Sequence, residues 1–150
     1  MEHHLILRIA TKLLIPMILL FALYVQFHGD FGPGGGFQAG VIFGAGLILY
    51  GIVFGVDSLM AAIPLKSVRV VAALGLILYA GVGVFSLMQG ANFLDYDALA
   101  EDPLHGQHYG ILLIELGVGM TVAATMVGLF CSFSAGRRDP DDHVDAEHDS

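Results

Sequence analysis

Tryptophan is missing from this chain altogether, cysteine occurs once, and only 13% of its residues are charged. Each shortage excludes something. A soluble domain of 150 residues needs a charged surface, and a composition that is 56% hydrophobic leaves too few charges to cover one. The single Cys131 permits no internal disulfide and gives no vote on redox compartment. Without tryptophan, an aromatic belt falls to tyrosines, of which Tyr24, Tyr96 and Tyr109 lie near one expected boundary. Tyr50 and Tyr79 read as packing residues. The six Lys and Arg residues are spread over three segments, so nothing is arranged to bind nucleic acid.

Acid is plentiful only at one end. Six of the 14 acidic residues, Asp139 to Asp149, fall in the last twelve positions, and the remaining eight face six bases. The formal charge of −8 therefore describes a tail rather than a body. Residues 137–150, with His143 and His148 among the acids, read as a solvated, disordered cytoplasmic extension of a membrane domain spanning 1–136.

What the chain has in quantity is apolar length. Four stretches can each cross a hydrocarbon core, which takes about 20 helical residues. They run roughly Leu7–Phe27, Phe37–Val56, Val68–Met88 and Tyr109–Phe133. The predicted fold is an all-α membrane protein with four transmembrane helices. The first stretch begins with Arg8 and Lys12 but no small-residue cleavage pattern follows, so it reads as an uncleaved span. Pro16 should kink that helix or end a short leading segment.

Lys and Arg set the orientation. Arg8 and Lys12 precede the first span, Lys66 and Arg69 separate the second and third, and Arg137 and Arg138 follow the fourth. The other two connections contain no base, and one carries Asp95, Asp97, Glu101 and Asp102. Both termini are therefore expected in the cytoplasm, with the connection between spans 1 and 2 on the far side.

That connection is the most distinctive stretch of the chain. His28, Asp30, Pro33, Gly34, Gly35, Gly36 and Phe37 stand in the run HGDFGPGGGF. A phosphate-binding loop would need Lys-Ser/Thr after its glycines, whereas Phe37-Gln38 follows here. What remains is backbone geometry: Pro33 fixes φ, the glycines permit φ > 0 and close approach, and Phe37 re-enters the interface as an anchor. The stretch is either a tight hairpin between antiparallel helices or a folded-in cap. In the second case its amides, with His28 and Asp30, contact an ion or a neighbouring subunit. Beyond it, Gly40, Gly44, Gly51 and Gly55 fall on one face of the second span as two G-x-x-x-G pairs, a helix-packing stripe. The stripe does not say whether its partner lies in this chain.

Pro-Gly-Gly-Gly-Phe between two spans, followed by a small-residue helix, resembles the B subunit of Mrp-type multisubunit cation/proton antiporters. The same module occurs in related membrane-bound hydrogenase-like complexes. The resemblance reaches to about Phe133, and HGDFGPGGGFQAG is its specific part. It implies an accessory subunit of the prokaryotic inner membrane, multi-pass, within an assembly that exchanges Na⁺ or another cation for protons. Its partners would be the other membrane subunits, with the antiporter-like channels mainly in larger ones. The family's commoner pattern opens the last span with an acid before Ile-Gly-Val. Here the stretch reads HYGILLIELGVG, with His108 at that place and Glu115 further in.

Glu115 is the one ionisable residue well inside a span, on the order of 10 Å deep by helix rise. An acid there is costly unless paired or protonated, and such residues mark ion or proton paths by default. The chain offers no Lys or Arg at that level, and His108 shares its face seven residues earlier. Glu115 and His108 make a two-stop proton path toward the outer surface. The alternatives are a salt bridge to a neighbouring subunit, or a neutral acid donating a hydrogen bond between helices.

His105 and His108, with Asp102 upstream, have the spacing of a metal pair but lie at a helix entry and read as a boundary cluster. No metal site is expected, and no cofactor, since haem would want histidines at matching depths inside spans. No nucleophile and base are paired for intramembrane hydrolysis, so an enzyme is not expected. The functional readings are a transport subunit contributing a proton or cation route, or a purely structural scaffold of an antiporter- or hydrogenase-related complex. An independent small membrane enzyme or channel is the third and weakest.

Overall fold

The computed structural model describes residues 2–29, 34–88, 90 and 103–135. Among the described residues every regular element is helical: α1 (Glu2–His28), α2 (Gly36–Phe54), α3 (Val56–Ala62), α4 (Leu65–Met88) and α5 (Pro103–Ala135). Four segments are long and apolar enough to cross a membrane: Leu5–His28, Gly36–Phe54, Leu65–Met88 and Gly110–Ser134. These match the spans expected from hydropathy to within a few residues. The acidic tail and most of the connection between α4 and α5 lie outside the described residues.

Two local features refine the expected spans. Of the two outcomes open at Pro16, a helix end is excluded, because α1 runs unbroken through it. The second span stops at Phe54, short of Val56, because Gly55 takes φ 96° and turns the chain into the short α3. That conformation is open to glycine and strained for other residues. Ile63 is then extended and Pro64 opens α4, its carbonyl accepting from the backbone N–H groups of Ser67 at 2.8 Å and Val68 at 3.2 Å.

The helices stand in a row, α1 against α2, α2 against α5, and α5 against α4. Neighbours in sequence are antiparallel, but α2 and α5 run parallel and in register. The neighbours Gly36–Glu115, Gly40–Gly119, Gly44–Ala123 and Gly51–Phe130 keep one constant offset along both helices. Small residues set this spacing. A β-carbon placed on Gly40 would stand 2.6 Å from the carbonyl oxygen of Gly119. Lipid tails are as apolar as leucine, so such close backbone contact, rather than water exclusion, holds helices together in a bilayer. Gly75 and Gly117 bring α4 onto the other side of α5 in the same way, with a β-carbon on Gly117 falling 2.8 Å from the Gly75 carbonyl oxygen.

Side chains fill the opposite end. Leu59 on α3, Val68 on α4, and Ala124, Val127 and Cys131 on α5 form a buried cluster flanked by Leu47, Tyr50 and Phe130. Beside this end the Arg8 guanidinium and the Lys12 ammonium lie 5.8 Å and 5.9 Å from the ring centre of Phe54. Cations over an aromatic face let long stems lie along apolar surface while their heads stay near the boundary. The start of α1 and the end of α2 thus share one cationic end, and the glycine loop occupies the other.

Candidate functional site

Two features that are far apart in sequence meet at the loop end. The Glu115 side chain, half-buried on α5, lies against the glycines that join α1 to α2. A β-carbon on Gly29 would stand 2.7 Å from Oε2 and 2.9 Å from Oε1, and one on Gly35 would stand 3.1 Å from Oε1. At Gly36 a β-carbon would collide with the backbone carbonyl of Glu115 itself. The glycines are therefore required by space as well as by turn geometry: any larger residue at 29 or 36 displaces the carboxyl or the helix carrying it.

The loop is held in this shape by its backbone. Gly35 adopts φ 129° and ψ 169°, a region that only glycine occupies without strain. Its N–H reaches the Val25 carbonyl at 3.4 Å, and its own carbonyl accepts from Ala39 at 3.0 Å, starting α2. Gly34 packs onto the last turn of α1, where a β-carbon would meet the Val25 carbonyl oxygen at 3.0 Å. The N-cap residue of α2 is Gly35, which has no side chain of its own to cap the helix. The first N–H groups of that helix, with their partial positive charge, thus face the region where the Glu115 carboxyl sits. The carbonyl end of α1, of opposite sign, finishes at His28 beside them. The carboxyl stands between the two ends, where the opposing dipoles partly cancel.

Glu115 is engaged in this structure, as are His28 and His108. The sequence-based reading that Glu115 lacks a partner within its own chain is corrected accordingly, because the loop folds onto the carboxyl from another helix. His28 is half-buried and stacks on Tyr24 with ring centres 5.0 Å apart and planes 18° from parallel. His108 is exposed, seven residues before Glu115 on the same helix. Asp30 and Pro33 lie outside the described residues, while Phe37 is exposed beside the loop. Of the stripe in the second span, Gly40, Gly44 and Gly51 face α5 of this same chain. Gly55 does not join that face, since it forms the break before α3 and has nothing within 4 Å of its β-position. Among the described residues no three His, Cys, Asp or Glu side chains converge as a metal site.

One further residue belongs here and was passed over in the sequence. Gln26 sits one turn before Gly29 on α1 and is only 7% exposed. Its Oε1 lies against Gly119, 2.6 Å from where a β-carbon would be. The available signal was a lone amide in the run LYVQFHGD, masked by its nearness to the expected end of the span.

The comparisons with known proteins bear on the same residues. A family described as "Domain related to MnhB subunit of Na+/H+ antiporter" matches residues 6–128. The chain belongs to this MnhB-related family. Proteins named antiporter subunit mnhB2 from Staphylococcus aureus strains Newman, JH1 and COL are each 32% identical to it over 139 residues. That match covers 91% of this chain and 98% of each relative. The MnhB-related region runs from the first spanning helix into the fourth and includes the glycine loop and Glu115. With four apolar helices, this family member is a multi-pass protein of the bacterial plasma membrane.

Proposed function

We propose that this chain is an accessory membrane subunit of a multisubunit Na⁺/H⁺ antiporter, and that Glu115 on the glycine loop is its contribution to the proton or cation route. The observation that carries the second half is the meeting of two independent features: the one acid deep in a span, and the loop that is the chain's most distinctive sequence. A scaffold needs neither a carboxyl at that depth nor three glycines moulded around it. The other subunits of the assembly are its partners, and protons and Na⁺ are its cargo. It is a transport component without a catalytic site of its own.

In the bilayer both termini face the cytoplasm, in keeping with Arg8, Lys12, Lys66 and Arg69 at one end of the row. The loop and Glu115 then lie toward the outer surface, with His108 between Glu115 and the solvent. Residues 137–150 form a separate acidic cytoplasmic tail. Glu115→Gln preserves shape and hydrogen bonding while removing the titrating proton. The complex carrying it should assemble in normal amount, and its Na⁺-driven proton movement in membrane vesicles should fall roughly a hundredfold, the lower range for losing an acid–base group. Wild-type exchange by that complex would leave the scaffold reading. Loss of other subunits from it would show that Glu115 forms a structural pair across an interface.

A further inference from the structure

The Gln26 amide is the unexplained polar group of the interior. The residue is more than nine-tenths buried, and its Nε2 is closed to solvent with no hydrogen-bond partner among the described residues. A buried donor left in that state is costly, and an apolar side chain of similar size would avoid the cost. Stability alone therefore does not account for an amide here. The other end of the amide supplies a reason. In the row of helices α1 and α5 are not neighbours, since α2 stands between them and they touch only slightly. They meet beside Gly36, which has no side chain to keep them apart. The β-position of Gly119 lies 2.6 Å from Gln26 Oε1 and 3.0 Å from the Gly36 carbonyl oxygen, so α1, α2 and α5 converge on one glycine. With no β-carbon in the way, the amide oxygen can lie against the glycine backbone, where a weak Cα–H···O contact adds to the packing.

Position relates this contact to Glu115. Three residues further along α1, Gly29 lies against the Glu115 carboxyl oxygens. Gln26 with Gly119 and Gly29 with Glu115 are thus two rungs, roughly 5 Å apart, between antiparallel helices. The rungs share a frame. Gly119 follows Glu115 by four residues, so within α5 its N–H bonds the Glu115 carbonyl. That carbonyl is the group against which Gly36 packs. We infer that Gln26 is a positioning residue: by bearing on Gly119 it fixes the spacing of α1 and α5, and with it how closely Gly29 approaches the Glu115 carboxyl. The consequence for exchange rests on the role proposed for Glu115, whereas the spacing itself does not. Leucine is one atom short of the amide oxygen and would let the last turn of α1 settle toward α5. Methionine ends in a methyl bulkier than that oxygen and would hold the turn away. Either change alters the surroundings of the carboxyl while removing the orphaned N–H. A residue kept for position has that signature: its loss leaves the fold no weaker and disturbs the group it places.

The test compares the assembled complex carrying Gln26→Leu or Gln26→Met with the unaltered complex, each in lipid. Infrared bands of the Glu115 carboxyl are identified by their loss in the Glu115→Gln complex. In both Gln26 variants the subunits should be recovered in normal amount and the midpoint of thermal unfolding should be no lower. The Glu115 bands should move, and Na⁺/H⁺ exchange should slow roughly tenfold, the upper end for losing one contact of hydrogen-bond strength. Unmoved bands in both variants overturn the inference. Lost subunits or a lowered midpoint in both also overturn it, since the amide would then serve the fold. Glu115→Gln separates the two claims. If that complex exchanges normally while the Gln26 variants still move the bands, the proton role of Glu115 fails and the positioning stands. If it has lost exchange while the Gln26 variants keep both the bands and the full rate, the positioning alone fails.

Discussion

At the scale of single residues, the glycines around Glu115 are doing different things, and substitutions should tell them apart. Gly35 is needed for its φ of 129°. A β-branched residue resists that region, and holding one there costs on the order of 1–3 kcal/mol. Gly35→Val should therefore lower the yield of assembled complex, read as the amount of subunit recovered with its partners after detergent extraction. Normal yield and full exchange would show that the loop is only a tether. Gly29 is constrained by the carboxyl rather than by its backbone. Gly29→Ala should accordingly impair transport more than assembly, since the methyl displaces Glu115 Oε2 without forcing a forbidden φ. Glu115→Asp keeps a titrating group on a shorter arm and should retain part of the exchange that Glu115→Gln loses. Equal loss in the two variants would mean that position alone, not titration, sets the rate.

Among elements, the parallel seam of α2 and α5 decides where the site can form. It places the first turn of α2 beside Glu115 because Gly36, Gly40 and Gly44 admit the other backbone at successive turns. Gly40→Val puts bulk where Gly119 and Val122 already stand, and overpacking of this kind costs about 1–3 kcal/mol. The expected result is a lower midpoint of thermal unfolding in detergent together with reduced transport. Gly81 on α4 has nothing within 4 Å of its β-position and serves as the control. Gly81→Ala should be neutral or slightly stabilising, by up to about 1 kcal/mol, as for any exposed helical glycine. Equal damage from both changes would contradict a seam built on close approach.

For the whole molecule, the charge pattern predicts which end faces which compartment. In a Cys131→Ala background, a membrane-impermeant thiol reagent added outside should label Ala98→Cys and not Ser134→Cys. Labelling at position 134 would reverse the topology and put Glu115 at the cytoplasmic end. The four spans and the break at Gly34 to Gly36 were legible in the sequence because hydropathy and turn chemistry are local. So was the place of Glu115 inside the fourth span, which needs only counting along one helix. What could not be read was that Glu115 packs against the loop. Their contact depends on α2 and α5 running parallel in a particular register, and a stripe of glycines does not name its partner. Gln26 escaped for a related reason: an amide near a span's end counts as interfacial until the packing shows it buried. Gly55 misled in the other direction, since a helical wheel assumes a helix that in fact stops before it.

The central claim is that the Glu115 carboxyl changes protonation during exchange. Infrared difference spectroscopy on the assembled complex in lipid observes this directly, since a protonated carboxyl has a carbonyl band that the carboxylate lacks. The account predicts a carboxyl band that diminishes when pH rises or Na⁺ is added, shifts in D₂O, and is absent from the Glu115→Gln complex. The same band, responding in the same way in the Glu115→Gln complex, would contradict it.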